Sequence, residues 1–162
     1  MGTEGSTRKA YKSSFTLMIE NQKPLFFEII KLLLILLWAC TAASKLVDVK
    51  EFRNELNNQT FSQGFADLLF WFIPISEITA ALCLVFARSR WMGLILSSIL
   101  MFLFTGYVAL VILNYYDQVP CICGGVFQHM SWTMHFWFNL FFLMLSLWAT
   151  HYYYQRFKRK QK

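Results

Sequence analysis

The sequence predicts an all-α, polytopic membrane protein: an antiparallel four-helix transmembrane bundle with both termini cytoplasmic. Three observations carry this reading. First, 57% of the residues are apolar and 15% are charged. Ordinary soluble domains carry about 25% charged residues, so the polar side chains here are too few to cover a soluble surface. Second, four segments reach the roughly 20 mostly apolar residues that a spanning helix needs. Third, Lys and Arg gather at the two chain ends and in one short turn, as an orientation signal would. The length of 162 residues suits one domain.

The elements follow in order. Segment 1–25 carries Arg8, Lys9, Lys12 and Lys23 and is expected to be a basic cytoplasmic tail. It has no apolar core followed by a small-residue cleavage site, so no cleavable signal peptide is expected. Its start, MGTEGS, fits the short myristoylation pattern only as chance would. The transmembrane domain occupies 26–154, with spans at about 26–46 (FFEIIKLLLILLWACTAASKL), 66–87 (ADLLFWFIPISEITAALCLVFA), 91–114 and 133–153. In lipid a helix satisfies its own backbone groups, so all four are read as helices. Between the first two spans, Val49, Phe52 and Leu56 recur at helical spacing and predict a short surface helix. Arg88-Ser89-Arg90 is a tight turn that makes the second and third spans antiparallel neighbours. Segment 155–162 is a second basic cytoplasmic tail.

In an even-numbered bundle both tails and the Arg88–Arg90 turn lie on one side. The other side has Lys45, Lys50 and Arg53, offset by Asp48, Glu51 and Glu55. This bias places the termini in the cytoplasm and both longer loops outside, which in a bacterial inner membrane is the periplasm. Trp71, Tyr115, Tyr116 and Trp132 fall near the outer interface, and Trp91 with Tyr152, Tyr153 and Tyr154 near the inner one, as an aromatic belt would. The basic residues form no single stripe, which excludes nucleic acid as a partner. The lipid bilayer is the partner the composition demands.

Two stretches carry chemistry. The loop before the last span reads PCICGGVFQHMSWTMH. Cys121 and Cys123 lie on the outer side, where disulfides persist, and exposed or strained disulfides tend to be labile or catalytic. Pro120 fixes the backbone before the pair. Gly124 and Gly125 permit unusual backbone angles and the approach of a partner chain. Ser131 is a plausible N-cap for the last span, whose positive dipole end would favour the thiolate. His129 or His135 would do the same or shuttle protons. Three readings stand: a redox pair, a structural disulfide, or a zinc or copper(I) site built from Cys121, Cys123, His129 and His135. Cys40 and Cys83 lie within spans and are expected to pack as small apolar residues.

The second stretch is P-I-S-E in the second span. Glu77 sits near mid-membrane, three residues after Pro74, and an ionisable group at that depth is costly and usually functional. Lys45 is its nearest plausible partner. Tyr107, Asn114, His135 and Asn139 fall in the same outer half and together would line a polar pocket beneath the cysteine loop. Glu77 pairs with Lys45 to fix helix packing, handles protons or the edge of a quinone, or is a protonated, hydrogen-bonded packing carboxyl. Asn139 and Ser146 are expected to bond between helices. No cofactor motif is present, and a quinone remains an electron sink that no motif marks.

Three blocks of the chain, ASKLVDVKEFRNEL, IPISEITAALCLVFARSRWMGL and PCICGGVFQHMSWTMHFWFN, resemble the MauE-like and DoxX-like family of small bacterial membrane proteins over about residues 26–151. The resemblance implies a four-helix membrane bundle. MauE proteins are implicated in maturing the disulfide-rich small subunit of methylamine dehydrogenase alongside a thioredoxin-like partner. By this resemblance Cys121 and Cys123 take the place of the redox cysteines, and Glu77 and Lys45 match intramembrane polar positions. The expected function is thiol-disulfide exchange with a periplasmic thioredoxin-like protein during maturation of envelope proteins. The rival is a non-catalytic membrane scaffold whose disulfide only stiffens the loop.

Overall fold

A computed structural model of the chain describes residues 4–58, 62–113 and 131–160, with side chains described at 25–58, 62–113 and 131–159. Five helices and no strand occur among the described residues: α1 (Glu4–Val47), α2 (Val49–Asn57), α3 (Gln63–Val85), α4 (Arg90–Ile112) and α5 (Trp132–Lys160). The four long helices pack as a ring in the order α1, α3, α4, α5, and α2 lies against α3 and α1.

Three of these helices, Leu25–Val47 of α1, α3 and α4, are long and apolar enough to cross a membrane. Each buries one stripe and leaves its other face apolar. On α1, Phe27, Ile30, Leu34, Trp38 and Ala42 are buried at helical spacing, while Leu32 and Leu36 are 60% and 61% exposed. An outer surface so apolar suits lipid tails rather than water. The chain is a multi-pass membrane protein. Helix α5 has 29 residues but is not among those three, and its apolar run contains His135, Asn139 and Ser146. All three are buried inside the ring, and the outward positions are Met134, Trp137, Phe141 and Met144.

The boundaries differ from the expected spans at the ends. Helix α1 extends back to Glu4, so the basic N-terminal segment and the first span form one helix of 44 residues. Helix α5 likewise carries the basic C-terminal segment to Lys160. The short helix expected after the first span is α2. Phe52 and Leu56 face inward, and Val49 is exposed.

Side chains fix the mutual directions of the helices. At one end of the ring, Trp91 of α4 stacks on Tyr153 and Tyr154 of α5, with ring centroids 6.0 Å apart in each pair. Phe27 of α1 meets Tyr152 at 5.5 Å, and Arg90 Nη1 lies 3.7 Å from Glu28 Oε1. The starts of the apolar part of α1 and of α4 therefore meet the end of α5, which runs antiparallel to both. The four residues 86–89 reverse the chain between α3 and α4, and the Ser89 hydroxyl donates to the Cys83 carbonyl at 3.1 Å to hold that reversal. In the middle of the ring, Trp38 Nε1 donates to Ser97 Oγ at 2.9 Å, joining α1 to α4. Ser131 caps α5: the Met134 backbone N–H donates to its hydroxyl at 3.3 Å.

Two expectations are corrected. Cys40 is exposed rather than in the core. It lies off the buried stripe of α1, between Trp38 and Ala42, and so faces outward; Cys83 is half-buried. Ser146 does not bond between helices; its hydroxyl donates to the Leu143 carbonyl of its own helix at 2.9 Å, a common way for a helical Ser to satisfy itself.

Candidate functional site

Helix α3 stays continuous through Pro74. Proline has no N–H to donate, so the ladder loses a bond there, and Ser76 turns its hydroxyl to the Ile73 carbonyl at 2.8 Å. One residue on, Glu77 points into the ring and is 1% exposed. A buried carboxylate needs a partner, and α1 supplies one from its last turn. Lys45 Nζ donates to Glu77 Oε1 at 2.9 Å and to the Thr41 carbonyl at 3.3 Å. The ammonium is 5.9 Å from the centroid of the Phe52 ring of α2, within the range of a cation–π contact. Helix α2 is thus a cover for this end of the ring. It is held down by Phe52 stacked on Phe70 at 5.6 Å and by the exposed ion pair of Arg53 and Asp67 at 3.1 Å.

Beside the ion pair lies a cavity of about 200 Å³, whose polar lining includes Lys45, Glu77, Tyr107, His135 and Asn139. These residues come from four helices, and the ring brings them to one place. His135 and Asn139 are one turn apart on α5 and both buried. In this lining Glu77 Oε2 and Asn139 Nδ2 have no hydrogen-bond partner among the described residues. The first is an acceptor and the second a donor. The remaining walls are largely apolar, with Leu100, Met101, Phe104 and Phe138 among them. Such a space accepts a neutral molecule that both donates and accepts a hydrogen bond, because the Lys45–Glu77 pair cancels its own charge.

The other residues singled out in the sequence, Asn114, Pro120, Cys121, Cys123, Gly124, Gly125 and His129, lie outside the described residues, as do Tyr115 and Tyr116. Of the metal alternative, His135 alone falls within them. The segment that carries the cysteines leaves α4 after Leu113 and rejoins the described chain at Ser131. Trp132, the first residue of α5, lines the cavity.

The sequence reading missed Trp38, Thr41 and Ser76 as cavity residues. The signal was present for two of them: Thr41 and Trp38 precede Lys45 by four and seven residues, one and two turns along the same helix face.

No curated protein and no solved structure matches the chain. The model of the family described as "Methylamine utilisation protein MauE" matches residues 23–152, from the last residues before the apolar part of α1 to the final turns of α5. The match takes in every residue of the cavity and of the cysteine segment, and the chain belongs to the MauE family.

Proposed function

We propose that this protein is a thiol-disulfide exchange component of a bacterial inner membrane, working through Cys121 and Cys123 with a periplasmic thioredoxin-like protein in the maturation of envelope proteins. In this reading all four long helices span the bilayer. Helix α5 qualifies because its polar residues face the ring and its outward positions are apolar. The Lys and Arg bias then puts both termini in the cytoplasm and the cysteine segment outside.

The observation that carries the reading is the position of the polar cavity. The segment with both cysteines joins α4 to α5 at the end of the ring where Tyr107, Trp132 and His135 line that cavity. Oxidation of a dithiol releases protons as well as electrons, and a buried histidine and a carboxylate are groups that can receive them. One cysteine attacks the partner disulfide as thiolate, and the other resolves the mixed disulfide.

Acid-trapped thiol alkylation in native membranes tests this. The wild-type pair should be a mixture of oxidised and reduced forms. Cys121→Ser or Cys123→Ser should accumulate a mixed disulfide with a second protein, visible as a reductant-sensitive band. A pair that is fully oxidised and inert to reductant would instead make the segment a stiffened scaffold. A reduced pair that is protected until a chelator is added would make it a metal site.

A further inference from the structure

The geometry points to the cavity between α1, α3, α4 and α5 as a binding site for a quinone-class ring that enters from the bilayer between α3 and α4.

Access comes first. Phe72 on α3 and Leu103 on α4 both line the cavity, yet they are 57% and 56% exposed on the outer surface of the ring. Residues that face the cavity and the outside at once mark its mouth, and this mouth opens where the surface is lipid-facing. A ligand that enters there must be soluble in lipid.

The inner end selects the chemistry. Asn139 is 5% exposed and Glu77 1%, and Asn139 Nδ2 and Glu77 Oε2 have no hydrogen-bond partner among the described residues. A buried polar atom left unsatisfied costs roughly 1–3 kcal/mol, so a pair of them in one cavity calls for a ligand or water to meet them. A fatty-acid carboxylate fits poorly, since Lys45 is already neutralised by Glu77 and the free carboxylate oxygen would repel it. A pure hydrocarbon would satisfy neither atom. A quinone ring offers a carbonyl to Asn139 Nδ2, and its reduced form offers a hydroxyl to Glu77 Oε2. A volume of about 200 Å³ with walls of Leu, Met and Phe accommodates a ring-sized head, leaving an isoprenoid tail to pass between Phe72 and Leu103.

This inference deepens the thiol-exchange reading and takes from it the need for an electron acceptor. Oxidation of the Cys121–Cys123 dithiol to a disulfide releases two electrons and two protons, and a quinone that takes up both becomes the quinol. Binding itself requires neither cysteine.

The experiment is a titration of the purified, detergent-solubilised full chain with menadione and with decylubiquinone, followed by quenching of tryptophan fluorescence, since Trp38 and Trp132 line the cavity. Decylbenzene, which has the chain but no oxygen atoms, is the control. Saturable quenching by at least one quinone is expected, with binding weakened about tenfold or more in Asn139→Leu, the loss of one hydrogen bond to a buried group. The two quinones distinguish a naphthoquinone from a benzoquinone site. Asn139→Leu removes the amide whose Nδ2 has no hydrogen-bond partner among the described residues, and size-exclusion profiles check that it folds. Glu77→Gln, which keeps the shape, provides a second variant and should weaken the quinol more than the quinone. Unsaturable quenching, or equal binding by the Asn139→Leu variant and by decylbenzene, overturns the site. The Cys121→Ser/Cys123→Ser double variant should bind as wild type does. Binding that persists while the cysteines prove inert sinks the exchange reading alone, and working cysteines without quinone binding sink this inference alone.

Discussion

Glu77→Leu should leave little folded protein, and adding Lys45→Met should restore it. The single substitution strands the Lys45 ammonium, which is 3% exposed, with the Thr41 carbonyl as its remaining hydrogen-bond acceptor. Removing one member of a buried ion pair typically costs about 3–5 kcal/mol, a large part of the stability of an ordinary domain. The double variant removes both charges and keeps apolar volume between α1 and α3, and such replacements are often neutral or stabilising. Thermal unfolding in detergent, followed by fluorescence-detected size exclusion, measures both. A single variant that melts with wild type would show that the pair holds nothing together.

The double variant also separates the two roles open to this pair. If Lys45 and Glu77 serve only to lock α1 against α3, a refolded double variant exchanges disulfides as wild type does. If the carboxylate takes part in proton or ligand handling, the double variant folds and its Cys121–Cys123 pair stops cycling in the alkylation assay. The second outcome is expected, because Glu77 presents an oxygen to the cavity that the pairing with Lys45 leaves unused. A residue kept only for packing would have no need of that arrangement.

Much of this site could be read in the sequence because burial in a membrane makes polar residues conspicuous. Glu77 and Lys45 stand out against the spans around them, and Lys45, at the end of the first span, is the cation within nearest reach of Glu77. Tyr107, His135 and Asn139 fall in the outer half of their spans. The turn at Ser89 and the cap at Ser131 were legible from local chemistry. What was not legible depends on rotation about the helix axes and on neighbours. Cys40 and Trp38 both sit in an apolar run, and only the direction of the buried stripe puts one outside and the other at the centre of the ring. Ser146 lay at a depth and on a face that suited a bond to a neighbouring helix, yet its own backbone was nearer. The glycines are the extreme case. Gly93 and Gly106 are each one glycine in an apolar helix, and nothing in the sequence distinguishes them.

The structure does distinguish them, and opposite outcomes should follow from the same substitution. A Cβ on Gly93 would lie 2.8 Å from the backbone nitrogen of Leu84 and 2.9 Å from the carbonyl carbon of Cys83, whereas a Cβ on Gly106 would meet nothing within 4 Å. Both glycines are within α4, where alanine is intrinsically favoured by about 1 kcal/mol. Gly106→Ala should therefore leave the melting temperature unchanged or raise it. At Gly93 the overlap is with backbone rather than a flexible side chain, so α4 must move away from α3. That motion is opposed by the short connection at 86–89 and by the Ser89–Cys83 hydrogen bond of 3.1 Å. Overpacking of this kind costs about 1–3 kcal/mol, enough to outweigh the gain in propensity. Gly93→Ala should melt lower than wild type, and Gly93→Val lower again, since its larger side chain stands at the same point of contact. The cavity lies at the other end of the ring, so quinone quenching by the folded fraction should be unaltered. A Gly93→Ala protein as stable as Gly106→Ala would mean that α3 and α4 tolerate a wider spacing and that the close approach is not what fixes their crossing.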